Sequence, residues 1–185
     1  PTRRLKYDVI VIGGGAAGLM CALEAGKRGR AVAVLEHNER LGKKILISGG
    51  GRCNFTNLHA GPENYLSANP HFCKSALARY TPADFLALVE RHGIRWHEKK
   101  LGQLFCDTSS REIVAMLQRE CEAARVRILL NCQVREVRKA AAYQVATSQG
   151  ALSADSLVIA TGGLSFPKIG ATDFGGLQTT ASRLV

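Results

Sequence analysis

A chain of 185 residues fits one domain of ordinary size, and 46% hydrophobic with 22% charged residues is the balance of a soluble globular protein able to bury a core. The net charge of +10 would suit an acidic partner, yet the basic residues come in ones and twos (Arg3, Arg4, Lys6; Lys27, Arg28, Arg30; Lys43, Lys44; Lys99, Lys100) with no interleaved aromatics. That spacing counts against nucleic acid as a partner. No stretch approaches the roughly 18 apolar residues of a membrane span, and Glu24 with the glycine cluster before it argues against a signal peptide, so a cytoplasmic protein with no membrane partner is expected.

Val9 to Ile12 reads as a buried parallel strand, followed at once by the glycine cluster Gly13 to Gly18 and a helical pattern with Ala16, Leu19, Met20 and Leu23 on one face. A second apolar run, Ala31 to Leu35, ends at Glu36, which lies 18 residues beyond Gly18. Strand, glycine turn, helix and terminal acid together make a dinucleotide fingerprint. Gly13 permits the tight turn, Gly15 lets the backbone approach a pyrophosphate, and Gly18 allows close helix packing. Ala16 and Ala17 open the helix whose free amides face the phosphates, and Glu36 can accept hydrogen bonds from an adenosine ribose.

Between Glu36 and about Pro70 the composition turns to glycine, asparagine and basic residues, around LGKKILISGGGRCNFTN, Leu41 to Asn57. This is too long for an ordinary connection. Gly49, Gly50 and Gly51 let a backbone run close to a flat or anionic ligand, with Ser48, Arg52, Asn54 and Thr56 beside it as hydrogen-bonding groups. A solvated linker explains the same residues equally well. Arg52 or Lys43 could stabilise negative charge on a bound ligand or simply contact phosphate.

Asn69 and Pro70 suit the start of a helix with Phe72, Ala76, Leu77 and Tyr80 on one face, and Thr81, Pro82 and Asp84 start a second, with Phe85, Leu88 and Val89 inward and Gly93 as its stop. Ile94 to Glu98 and Gln103 to Cys106 read as short strands. His92 and His97 are candidate proton donors, although lone histidines near strands are more often structural. Ser109 with Glu112 opens a helix packed through Ile113, Leu117, Cys121 and Ala124. Val126 to Leu130 supplies a further parallel strand, Tyr143 to Gly150 a hairpin-like antiparallel excursion, and Ser156 to Ala160 a buried strand. That strand delivers Thr161, Gly162 and Gly163 at its C-terminal end, where open α/β sheets bind ligands. Asp173 is a further cofactor contact or a helix cap.

The six cysteines, Cys21, Cys53, Cys73, Cys106, Cys121 and Cys132, show no CxxC pair and no zinc-like arrangement, so reduced thiols and no metal are expected. Cys21 and Cys121 fall on apolar helical faces. Cys53 and Cys106, placed in loops, are the two that carry a redox hypothesis.

VIGGGAAGLMCA (Val11 to Ala22), the Leu41 to Asn57 segment, LGQLFCD (Leu101 to Asp107) and LVIATGGLSFPKIGATDFG (Leu157 to Gly175) together resemble the bacterial BaiN/YhiN-like family of FAD flavoproteins. SGGGRCN with Thr56 and Asn57 is the most specific of these. The resemblance implies an α/β Rossmann-type FAD-binding fold, a parallel sheet flanked by helices, with redox activity; at least one relative is an NAD(P)H-dependent reductase of steroid-like enones. On it, Gly13, Gly15, Ala16, Ala17, Gly18 and Glu36 would hold the ADP half of FAD. Lys43, Ser48, Gly49 to Gly51, Arg52, Cys53, Asn54, Thr161 to Gly163 and Asp173 would reach the pyrophosphate or flavin, and Val134 would offer its backbone to the adenine. Relatives carry proline where this chain has Cys106. The expected organisation is an FAD-binding domain over residues 1–175 and an atypical tail over 176–185, where the resemblance stops and a substrate-side domain would follow.

The expectation is therefore an FAD-dependent oxidoreductase taking NADH or NADPH as donor and a small organic acceptor such as a conjugated enone. Two alternatives stand beside it: a flavin-bearing nucleic-acid-modifying or nucleic-acid-binding protein, and a truncated, non-catalytic remnant.

Overall fold

In β1 (Leu5–Ile12) the last three side chains, Ile10, Val11 and Ile12, are all buried, as befits a parallel strand covered on both faces. The computed structural model describes residues 5–163. After β1 come α1 (Ala16–Lys27) and β2 (Val32–Leu35), the latter buried throughout. The glycine-rich stretch that follows has structure of its own: a short helix α2 (Lys43–Ile47), a tight helical turn at Ser48–Gly51 and a strand β3 (Asn54–Asn57). Next are α3 (Lys74–Arg79), α4 (Pro82–Arg91), β4 (Trp96–Glu98), β5 (Gln103–Cys106) and α5 (Arg111–Ala123). The described chain closes with β6 (Arg127–Leu129), β7 (Val134–Lys139), β8 (Tyr143–Thr147) and β9 (Gly150–Ile159).

These elements fall into two compact units. The described residues up to Lys44 with those from Leu117 onward form the first, and Ile45–Met116 form the second. The first unit carries a six-stranded sheet in the order β6-β2-β1-β9-β8-β7. Its first four strands are parallel, Ile10 lying between Ala33 and Leu157; β8 adds antiparallel to β9, and β7 antiparallel to β8. One face is packed by Tyr7, Ile10, Ile12, Leu35, Cys132, Val145, Leu152 and Ala154. Each fully buried aliphatic side chain contributes about 1.5–3 kcal/mol relative to exposure.

The expected antiparallel excursion and the Ser156 to Ala160 strand are one element. β9 runs on from the hairpin, pairing Leu152 with both Val145 and Leu5, then lies parallel to β1 as far as Ile159. The polar stretch after β6 forms the edge strand β7. A register shift between Val134 and Glu136 breaks the period of two, so Val134 and Val137 both pack against the core while Arg135, Glu136, Arg138 and Lys139 stay outward.

The second unit holds a three-stranded antiparallel sheet in the order β3-β5-β4, with Leu104, Phe105 and Cys106 of its central strand buried. Cys106 therefore ends the strand read over Gln103 to Cys106, and is not in a loop as the redox reading placed it. α4 begins as read: the Thr81 Oγ1 accepts from the Asp84 N–H at 3.2 Å, and the Asp84 carboxylate accepts from the Thr81 N–H at 2.7 Å. α3 is shorter than expected, and Phe72 and Tyr80 stay exposed because the first falls in the turn before the helix and the second at its C-cap. Among the described residues no helix is long and apolar enough to cross a membrane.

Candidate functional site

The first unit brings the glycine turn, Glu36, Lys43 and Thr161 to Gly163 to the C-terminal ends of parallel strands. Gly13 has a φ of +109°, and a β-carbon there would lie 2.4 Å from the Ala160 carbonyl oxygen. Gly18 is equally constrained, since its β-carbon would meet the Gly13 carbonyl oxygen at 1.9 Å. That close approach rotates the buried stripe of α1 to Gly18, Leu19, Ala22 and Leu23, so Ala16, read as facing inward, is exposed. No described residue lies within 4 Å of a β-carbon built on Gly15.

Gly15 caps α1 without any side-chain hydrogen bond, and the first turn carries no acid. The opening amides of Ala16 and Ala17, with the positive end of the helix dipole behind them, can receive a phosphate. Glu36 is buried at 6% exposure. Its carboxylate accepts from the Gly14 N–H at 2.8 Å through Oε2, and from the Asn38 N–H and Nδ2 at 2.8 and 2.7 Å through Oε1. Oε1 is thus filled, whereas Oε2 keeps a lone pair for a ribose hydroxyl. Lys43 Nζ donates to Asn38 Oδ1 at 2.5 Å, and the Gly42 N–H donates to the Gly14 carbonyl at 2.9 Å, fixing the following loop on the turn. Gly14, Asn38 and Leu41 escaped the sequence reading. A β-carbon on Gly14 would meet Leu41 at 2.6 Å, a contact that the glycine run could have suggested but not located.

Thr161, Gly162 and Gly163 leave the end of β9 beside that turn, Gly162 with a φ of +73°. The Ala160 N–H donates to the Ile12 carbonyl at 2.8 Å, so both strand ends share one edge. Val134 opens the edge strand β7, pairs with Thr147 and packs on the core. Asp173 lies outside the described residues.

The second unit carries Ser48 to Asn54. Gly49, Gly50 and Gly51 have φ values of +58°, +66° and +85°. Such a run turns successive backbone N–H groups toward one side and suits an anion or an electron-rich edge. Several hydrogen bonds fix it: the Cys106 N–H donates to the Arg52 carbonyl at 3.0 Å, the Ser110 N–H to the Gly51 carbonyl at 2.7 Å, and Arg52 Nη1 to the Asp107 carbonyl at 2.9 Å. Arg52 is committed to the protein through one of its donors. A β-carbon on Gly49 would strike the Phe105 ring at 2.7 Å. Asn54, its amide turned to donate, reaches the carbonyls of Thr56 and Leu104 at 3.1 and 3.2 Å.

Neither cysteine of the redox hypothesis is poised for attack. Burial pushes the Cys53 thiol up, against a lowering hydrogen bond from Ser48. Burial, then the charges of Cys53, Glu112 and Asp107, push the Cys106 thiol up to about 12. A thiol that stays protonated is a poor nucleophile. His97 has what a lone histidine lacks: its Nδ1 lies 2.8 Å from Asp107 Oδ1.

A family model described as the HI0933-like protein Rossmann domain matches residues 7–183. The ribosomal RNA dihydrouridine synthase of Escherichia coli is 53% identical over 171 residues, 92% of this chain and 43% of that protein. The protein of the same name from Haemophilus influenzae is 50% identical, over 90% of this chain and 43% of its own length. The 3-dehydro-bile acid delta(4,6)-reductase of Clostridium scindens is 28% identical, over 89% and 41%. The chain thus spans less than half the length of these relatives. Among solved structures, the 3-ketosteroid-delta4-(5alpha)-dehydrogenase of Rhodococcus jostii superposes with a TM-score of 0.63 at 17% identity, covering 88% of this chain and 47% of that one, a likeness of fold.

One expectation is overturned. The reading that set nucleic acid aside as a partner does not survive two relatives, at 53% and 50% identity, named for action on ribosomal RNA. Scattered basic residues in a sequence do not report how charge clusters once folded. The fold class and the family resemblance both stand: the chain belongs to the HI0933-like Rossmann-domain family.

Proposed function

We infer that this chain is the FAD-binding part of a cytoplasmic flavin-dependent oxidoreductase that reduces a uracil ring in RNA. The observation that carries the cofactor is the Gly14–Glu36–Asn38 network beside a helix start without a side-chain cap, with no described residue within 4 Å of a β-carbon on Gly15. In this reading Gly13, Gly15, Ala16, Ala17 and Gly18 surround the pyrophosphate, Glu36 binds the adenosine ribose, and Val134 offers edge-strand backbone to the adenine. Lys43, Ser48 to Asn54 and Thr161 to Gly163 approach the remainder, and the FAD-binding region extends over residues 1–175. Bound there, FAD would supply reversible two-electron chemistry; the protein's share is to hold the dinucleotide, orient the ring and deliver protons. NADH or NADPH is the proposed donor.

The RNA reading is supported by the names and identities of the two RNA-acting relatives, set against a bile-acid reductase at 28%. The net charge of +10 favours a polyanion. Uracil C5=C6 is conjugated to a carbonyl, so enone and uracil reduction are the same reaction type on different substrates. The test is competitive: the anaerobically reduced, FAD-loaded protein is mixed with unmodified ribosomal RNA or with a steroid enone, and flavin reoxidation is followed. Reoxidation by RNA alone supports the reading, and reoxidation by the enone alone defeats it.

A further inference from the structure

In the second unit the imidazole of His97 is held on two sides. Its Nδ1 lies 2.8 Å from Asp107 Oδ1, and its ring stacks on Phe105 with centroids 6.2 Å apart and planes 18° from parallel. Asp107 is itself fixed, its N–H donating to the Arg95 carbonyl at 3.0 Å and its carbonyl accepting from Arg52 Nη1 at 2.9 Å. Phe105 is buried, and its ring lies against Gly49 so closely that a β-carbon there would overlap it. His97 is therefore coupled by rigid contacts to the backbone of the Gly49–Arg52 turn. Its side chain is 45% exposed. With Nδ1 occupied, Nε2 is the nitrogen left to face a ligand.

A carboxylate fixing one imidazole nitrogen, while an aromatic ring fixes the plane, leaves the other nitrogen aimed and ready to transfer a proton. We propose that His97 is the proton donor of the reduction and Asp107 its positioning residue, with a uracil base of RNA as the acceptor beside the Gly49–Arg52 turn. This rests on the function inferred above. Reducing uracil C5=C6 needs a hydride at C6, the position conjugate to the C4 carbonyl, and a proton at C5. The hydride, and with it two electrons, would be supplied by reduced flavin held as proposed above. The former π pair forms the new C5–H bond with the proton from His97 Nε2–H, whose bonding pair stays on nitrogen, and the neutral imidazole is reprotonated by solvent.

The test compares the FAD-loaded wild type with His97→Gln and Asp107→Asn, measuring flavin content, RNA affinity, and anaerobic flavin reoxidation by RNA and by ferricyanide. Ferricyanide takes electrons without protonating carbon. For H97Q the expected result is unchanged flavin content, RNA affinity and ferricyanide rate, with reoxidation by RNA slowed about 10²–10⁴-fold. D107N should slow RNA reoxidation in the same selective way and remove the Nδ1–H coupling to the carboxylate, read from the nitrogen-15 shifts of His97. Wild-type rates with RNA in H97Q, equal slowing with both acceptors, or loss of FAD in H97Q would each overturn the proposal while leaving the function intact. A wild type that RNA cannot reoxidise would defeat the function and the proposal together.

Discussion

The buried carboxylate of Glu36 accepts the Gly14 backbone N–H at 2.8 Å, joining the end of β2 to the glycine turn after β1. The acid is thus a structural brace as well as a candidate ribose ligand. Replacing it with glutamine turns one acceptor into a donor facing the N–H groups of Gly14 or Asn38. Hydrogen bonds to charged groups contribute about 1.5–3 kcal/mol, so E36Q should lose about that much stability in denaturant titration and bind FAD more weakly.

The glycines divide by what a side chain would meet. Gly18→Ala forces a β-carbon into the Gly13 carbonyl and should cost at least about 1–3 kcal/mol by thermal or urea unfolding. Gly15→Ala meets no described residue and keeps an ordinary φ of −86°, so its stability should stay within about 1 kcal/mol of the parent. Its FAD affinity should nevertheless fall tenfold or more, measured by flavin titration. Equal affinity would remove Gly15 from the pyrophosphate site.

Cys106 makes stability depend on pH in the alkaline range. Its folded-state pKa, about 12, exceeds its ordinary value of 9.0, so the native state holds the proton more tightly. The contribution is complete below pH 9 and is lost as pH rises toward 12. Urea midpoints should fall across that window, and Cys106→Ala should flatten the decline. Both Cys53 and Cys106 should resist alkylation near neutral pH until the protein unfolds.

Binding to RNA should weaken steeply with salt. Phosphate contacts release counterions, so the logarithm of the affinity should fall linearly with the logarithm of salt concentration, with a slope of about −0.7 to −0.9 per phosphate neutralised. A flat response in filter-binding or anisotropy measurements would argue against a phosphate-tracking surface.

The parallel-sheet core was legible because its signals are local. Val9 to Ile12 is an apolar run that ends at Gly13, Ala31 to Leu35 one that ends at Glu36, and Thr81 with Asp84 is a cap written within four residues. What stayed hidden depends on distant partners. Nothing near Asn54 announces that it pairs with Phe105, so the Ile45–Met116 unit could not be read off the chain. Gly14 and Asn38 gain meaning only from the Glu36 carboxylate between them. His97 looked like any strand histidine until folding brought Asp107 to its Nδ1. Charge misled for the same reason, since ones and twos in sequence say little about a folded surface.

The most direct test of the account is nucleoside mass spectrometry of unmodified ribosomal RNA incubated with the FAD-loaded protein and NADH or NADPH. The account predicts a uridine that gains the mass of two hydrogen atoms, in a reaction that stops when FAD is withheld. Unchanged uridine in the presence of FAD, a reducible flavin and either donor would contradict it.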